Sequence, residues 1–105
     1  MDAALRALAD PSRRRILRLV RGRELPAGAV AAEFELSRPA ISQHLRVLKE
    51  AGLLSERRVA TSRLYRAREE ALQSLIGELE TFWDVALADL KREAEKDQRA
   101  KERGA

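Results

Sequence analysis

The chain has 105 residues, of which 45% are hydrophobic, 36% charged and only 4% aromatic, and it has no cysteine. That length holds one small domain with a core of Leu, Ile, Val and Ala, and the missing cysteine excludes disulfides and thiolate metal sites. The net charge of +4 is unevenly spread: residues 37–68 carry eight basic and two acidic groups, whereas residues 69–90 carry six acidic and no basic ones.

In chain order, Asp2 to Leu8 reads as a short helix with Leu5 and Leu8 on one side. Asp10-Pro11 is a helix start, an N-cap followed by proline at the first helical position. The helix it opens turns Ile16, Leu17 and Val20 inward and stops at Gly22. A third, short helix is expected from about Pro26 to Phe34, weakened by Gly28, since glycine costs about 1 kcal/mol relative to alanine inside a helix. Ser37 caps a fourth helix and Gly52 ends it. Its periodicity separates Ala40, Ile41, His44, Leu45, Val47, Leu48 and Ala51 from a polar face of Arg38, Pro39, Ser42, Gln43, Arg46, Lys49 and Glu50.

Residues 53–67 predict a hairpin, with β-leaning pieces around Val59 and Leu64-Tyr65 and Ala60-Thr61-Ser62 between them. From about Glu69 the chain is helical again, with an apolar stripe from Leu72 through Leu75, Leu79, Phe82, Trp83 and Leu87 to Leu90. Residues 95–105 form a charged tail expected to fray, leaving residues 1–94 as the folded domain. No apolar run approaches the roughly 20 residues of a membrane span, and MDAALRALAD is not a signal peptide. The expectation is a soluble cytoplasmic protein that does not engage membranes.

The fold class expected is mainly α with a small β-hairpin: a helix-turn-helix at residues 26–51 and a hairpin directly after it. The polar face of the fourth helix suits the DNA major groove. Arginine pairs in bidentate fashion with guanine and glutamine with adenine, while Ser37 and Ser42 can reach phosphates near the helix start. Arg57, Arg58, Arg63, Arg66 and Arg68 crowd into twelve residues with only Glu56 adjacent as a counter-charge. A basic hairpin of this kind can place arginine in the neighbouring minor groove. The other reading of this face is a solvated surface on a helical protein–protein adaptor whose long last helix pairs with a different chain. Catalysis lacks its parts: there is no thiol, no histidine pair and no glycine-rich phosphate loop, so no catalytic residue is assigned and an enzyme is not expected.

The segments ALADPSRRRILRLV (7–20), ELSRPAISQHLRVLKEAGLL (35–54), RRVATSRLYRA (57–67) and FWDVALADLK (82–91) resemble the ArsR/SmtB family of winged helix-turn-helix transcriptional regulators, in order and at family spacing. The resemblance implies a homodimer joined through its N- and C-terminal helices, with one recognition helix per subunit on a double-stranded, roughly palindromic operator. It puts the groove-reading positions on Ser37, Arg38, Pro39, Ser42, Gln43 and Arg46, and the wing on Arg57, Arg58, Thr61, Ser62 and Arg63. Leu5, Leu8, Leu72, Leu75, Leu79, Phe82, Trp83, Leu87 and Leu90 fall to the dimer interface; an aromatic or acyl ligand beside Trp83 is the lesser use of that stripe.

Three positions depart from the family pattern: Pro26 replaces a Thr or Ser cap, Glu35 a turn glycine, and Ala60-Thr61-Ser62 lacks the wing-tip glycine. Many relatives respond to metal, one version through an ELCVCDL box. Here that run is ELPAGAV, Glu24 to Val30, with Pro26 and Gly28 at the cysteine positions. The only histidine, His44, lies on the apolar side of the fourth helix, where a packed, hydrogen-bonded ring is expected. Asp84, Asp89 and Glu93 could offer oxygen ligands, but zinc and nickel prefer His or Cys. The expectation is therefore no metal site, no cofactor, and sensing supplied by a separate protein or a small-molecule effector. Repression is the expected sign of regulation.

Overall fold

The computed structural model describes residues 1–104, in which the elements run α1 (Asp2–Leu8), α2 (Pro11–Leu19), β1 (Leu25–Pro26), α3 (Ala27–Ala32), α4 (Arg38–Glu50), β2 (Leu54–Val59), β3 (Ser62–Ala67) and α5 (Glu69–Gly104). Two units are distinguishable, Met1–Leu75 and the segment from Ile76 onward.

The helix starts in the first unit follow their local chemistry. The Asp10 side chain accepts a hydrogen bond from the Arg13 backbone N–H at 3.1 Å, and Pro11 opens α2 with its φ already set for a helix. This bond holds the Asp10 carboxyl below its ordinary range. At the other end of α4, the Gly52 N–H donates to the Lys49 carbonyl and the Leu53 N–H to the Leu48 carbonyl, each at 3.0 Å. Gly52 takes φ +80° to close this Schellman turn, a conformation that costs a residue with a Cβ about 1–2 kcal/mol. The turn returns the chain toward the core, where Leu53 and Leu54 are buried.

Ile16, Leu17, Val20, Val30, Ile41, Leu45, Leu48, Leu53 and Tyr65 form one buried cluster, with Leu8, Leu25, Phe34, Val47 and Leu72 packed around it. At roughly 1.5–3 kcal/mol for each large apolar side chain buried, this cluster is the main driving force of the first unit. Arg13 fastens its polar edge. The guanidinium donates to the Ala7 carbonyl at 2.6 Å and the Arg6 carbonyl at 3.2 Å, and lies 3.5 Å from His44 Nδ1. His44 is thus the packed, hydrogen-bonded ring expected of it, joined to the carbonyl end of α1 through one arginine.

The sheet is larger than the hairpin expected from sequence. β3 is central and antiparallel to both neighbours, in the order β1-β3-β2. Leu25 faces Tyr65 and Pro26 faces Leu64, so the segment expected to begin the third helix instead gives its first residue to a strand. Pro26 has φ −73° and ψ 158°, extended values that proline adopts readily, and α3 spans only Ala27–Ala32. The α3–α4 turn, where Glu35 replaces the family glycine, needs no left-handed residue: outside glycine, only Ala60 has positive φ among the described residues.

The second unit is helix alone. Every described side chain from Ile76 onward is exposed except the half-buried Ala86. α5 is helical to Gly104 and so includes residues 95–104 of the expected tail. Ala, Glu, Lys, Arg and Gln dominate that stretch and are all good helix formers. Side-chain hydrogen bonds Arg92–Asp89 and Gln98–Glu102 link consecutive turns. No helix is long and apolar enough to cross a membrane among the described residues.

Candidate nucleic-acid interface

Helix α4 presents two faces, as its sequence requires. Ile41, Leu45 and Leu48 are at most 1% exposed, whereas Arg38, Pro39, Ser42, Gln43, Arg46, Lys49 and Glu50 all lie at the surface. The Ser37 hydroxyl accepts from the Ala40 backbone N–H at 3.2 Å and so fixes the helix start. Proline at its second position removes a donor that has no partner within the helix. At that start, Arg38 lies across Gly28 of α3: a Cβ there would come 3.3 Å from its Nη1. The glycine that weakens α3 as a helix therefore gives Arg38 its room.

The wing has two chemically distinct faces. Pairing across β2 and β3 sets Leu54 opposite Ala67, Glu56 opposite Tyr65 and Arg58 opposite Arg63, so these six share one face. Its base is buried core, and Arg58 and Arg63 lie at its tip. Arg57 and Arg66 belong to the reverse face, because successive side chains alternate. There the Arg57 guanidinium donates two hydrogen bonds to Glu24, both at 2.9 Å. The contact pulls the Glu24 carboxyl below its usual range and raises Arg57.

Of the expected wing residues, Arg57 and Ser62, the partner of Val59, therefore lie on the face opposite Arg58 and Arg63. Arg57 joins the chain entering β1 to the back of β2 and serves as a brace. A two-residue turn, Ala60-Thr61, joins Val59 to Ser62, with Ala60 at φ +54°. A positive φ at the first turn residue alone suits a tight hairpin whose twist matches the strands. Ala60 adopts it without the glycine that would make it cheap.

Ionic contacts that local sequence did not reveal cross this surface. Arg46 pairs with Glu50 at 3.0 Å along α4. Lys49 reaches Glu56 at 2.9 Å, and Arg63 approaches the same carboxylate at 3.5 Å. Glu56 thus joins the last turn of α4 to both strands of the wing. Arg58 is exposed and has no ion pair among the described residues. An exposed pair such as Arg46–Glu50 contributes about 0–1 kcal/mol, less than the roughly 1–3 kcal/mol of a bidentate arginine–base contact. Arg46 can therefore leave Glu50 for a base edge at little cost.

The apolar residues assigned to an interface divide into two groups. Leu75 is 6% exposed within its own chain and Leu72 packs against the core, so neither offers much surface to a partner. Leu8 also leans on that core, and Leu5 is 38% exposed. The second unit holds the open part: Leu79, Phe82, Trp83, Leu87 and Leu90 are 36–64% exposed. Ile76 and Val85 are exposed there too, and Val85 escaped notice in the sequence because it lies off the main stripe.

No group of three or more His, Cys, Asp or Glu side chains converges among the described residues. Pro26 and Gly28 supply no ligating atom where some relatives have cysteine.

A capped helix with a polar outer face, set beside a three-stranded sheet with arginine at its hairpin tip, defines a winged helix-turn-helix DNA-binding module. A helix-turn-helix domain family matches residues 8–57. The HTH-type transcriptional regulator Rv2034 of Mycobacterium tuberculosis is 42% identical over 86 residues, 82% of this chain and 80% of the relative. The transcriptional repressor SdpR of Bacillus subtilis is 37% identical over 90 residues, 86% of this chain and 100% of its own length. Among solved structures, the homodimeric winged helix-turn-helix domain of Mb0332 from Mycobacterium bovis, a possible ArsR-family regulator, superposes with a TM-score of 0.65 at 29% identity. That match covers 79% of this chain and 77% of the other. The chain belongs to the ArsR/SmtB family of DNA-binding transcriptional regulators.

Proposed function

We propose that the protein is a homodimeric repressor that reads a short, roughly palindromic operator, with its two recognition helices about one DNA turn, roughly 34 Å, apart. The observation that carries this reading is the outer face of α4. Arg38, Ser42, Gln43 and Arg46 stand clear of the core on a helix fixed at both ends, beside a wing tip carrying Arg58 and Arg63. Gln43 and Arg46 contact base edges, Ser37 and Pro39 set the helix start against the backbone, and Arg58, Thr61, Ser62 and Arg63 hold the flanking phosphates or minor groove. Arg57 positions the wing.

Dimerisation uses Leu5 and Leu8 of α1 with Leu79, Phe82, Trp83, Leu87 and Leu90 of α5. A helix exposing that many large apolar groups to water is stabilised by a partner. The homodimeric state of the Mycobacterium bovis domain and the repressor activity of the Bacillus subtilis relative support the assembly and the sign. The protein works in the cytoplasm, and its input comes from a separate protein or a small molecule.

Fluorescence anisotropy with duplex DNA tests the interface. Arg46→Ala should cost about 1–3 kcal/mol of operator binding and relax preference at one base position. Arg58→Ala should weaken all sequences alike and flatten the salt dependence by about one contact. Two variants that bind as the parent does would return α4 to the status of a solvated face and favour a protein–protein adaptor.

A further inference from the structure

The groove-facing surface contains one partly buried carboxylate, and it lies between the two elements that would touch DNA. Glu56 stands opposite Tyr65 on the core-side face of the wing, where the hairpin emerges from the packed region. Its side chain is 17% exposed. The two cations it joins, Lys49 of α4 at 2.9 Å and Arg63 of β3 at 3.5 Å, are 51% and 60% exposed. Both partners therefore reach solvent while their counter-charge stays back.

We propose that Glu56 restrains the electrostatic part of DNA binding. Its carboxylate ties the recognition helix to the wing and holds Lys49 and Arg63 back from DNA phosphates. The inference rests on α4 and the wing being the DNA-reading surface.

Non-specific binding is almost wholly electrostatic, and each phosphate neutralised adds about 0.9 to the slope of log affinity against log salt. Two cations shared with a carboxylate act on phosphate as little more than one. Replacing Glu56 with the isosteric, neutral glutamine keeps a hydrogen-bond acceptor for Lys49 and releases both charges. On a sequence that α4 can read, Lys49 and Arg63 must leave Glu56 to reach the phosphates, so its charge opposes that complex at least as much.

The test compares the parent protein with Glu56→Gln on two duplexes, one carrying a sequence selected from host genomic DNA and one of random sequence, across a salt series. The proposal predicts that Glu56→Gln steepens the random-duplex slope by about 1, for the one charge removed, and tightens that binding roughly tenfold at 50 mM salt. The selected duplex should gain at least as much. Adding Lys49→Gln to Glu56→Gln should return the slope by about 1. A thermal melt of each variant checks the fold.

An unchanged random-duplex slope, or a gain confined to the random duplex, overturns the proposal while leaving the DNA-reading surface intact. A parent protein that does not discriminate between the duplexes overturns both.

Discussion

Ala60 occupies the first position of the wing turn with φ +54°, where a Cβ crowds its own backbone. For an L-residue that conformation costs about 1–2 kcal/mol relative to glycine. Glycine recovers this cost but gives up about 0.5–1 kcal/mol through the greater freedom of the unfolded chain. The difference predicts that Ala60→Gly stabilises the protein by about 0.5–1 kcal/mol. For a domain near 100 residues, that corresponds to a melting temperature raised by roughly 2–6 °C. Ala60→Val should move the other way by more than 1 kcal/mol, because a β-branched side chain tolerates this region least. Circular dichroism melts at one fixed protein concentration measure both variants without interference from assembly. A glycine variant that melts at or below the parent, beside a valine variant that melts with it, would refute the strained turn.

Three further outcomes follow from the caps and the exposed stripe. Ser37→Asp keeps a capping oxygen and should leave stability within about 0.5 kcal/mol of the parent. The same change sets a carboxylate against DNA phosphates, so anisotropy should register a clear loss of duplex affinity while the melt barely moves. Asp10 accepts from the Arg13 N–H in the folded state, which holds its carboxyl below the unfolded value. Its contribution is therefore complete above the unfolded pKa and is lost as pH falls through the lower folded value. Asp10→Asn, which still caps, should match the parent in urea titrations at pH 7 and lose less stability than the parent below about pH 4. Leu87→Glu on the exposed stripe should shift sedimentation from dimer toward monomer at micromolar concentration; a variant that sediments as the parent would remove α5 from the interface.

Legibility in the sequence tracked locality. Helix α4 was readable because its start, its stop and its two faces are written within sixteen consecutive residues, from Ser37 to Gly52, and each agrees with the others. Strand β1 was not, because two residues have no period and Leu25-Pro26 becomes a strand only when Tyr65 and Leu64 arrive beside it. The roles of the wing arginines split for a similar reason. Their number marks a basic hairpin, but only the strand register sends Arg58 and Arg63 to one face and Arg57 to the other, and Glu24 lies 33 residues before its partner. Several arginines that inflate the basic count are structural: Arg13 binds the last carbonyls of α1, and Arg14 donates to Leu8 and Ala9. Apolar residues marked the stripe of α5 correctly as a helix face, yet periodicity does not distinguish Leu75, already buried within its own chain, from Leu79, which is not. The charged tail lacks large apolar anchors, and its helical backbone fits the good helix formers that compose it.

The central claim is that α4 reads base sequence as one of a symmetric pair. Selecting fragments of host genomic DNA on the purified protein, then sequencing them, addresses it most directly. The account predicts a two-fold symmetric motif whose half-sites are centred about 10 base pairs apart, one turn of the duplex. Bound fragments with no shared motif, held by affinity that collapses with salt, would contradict it.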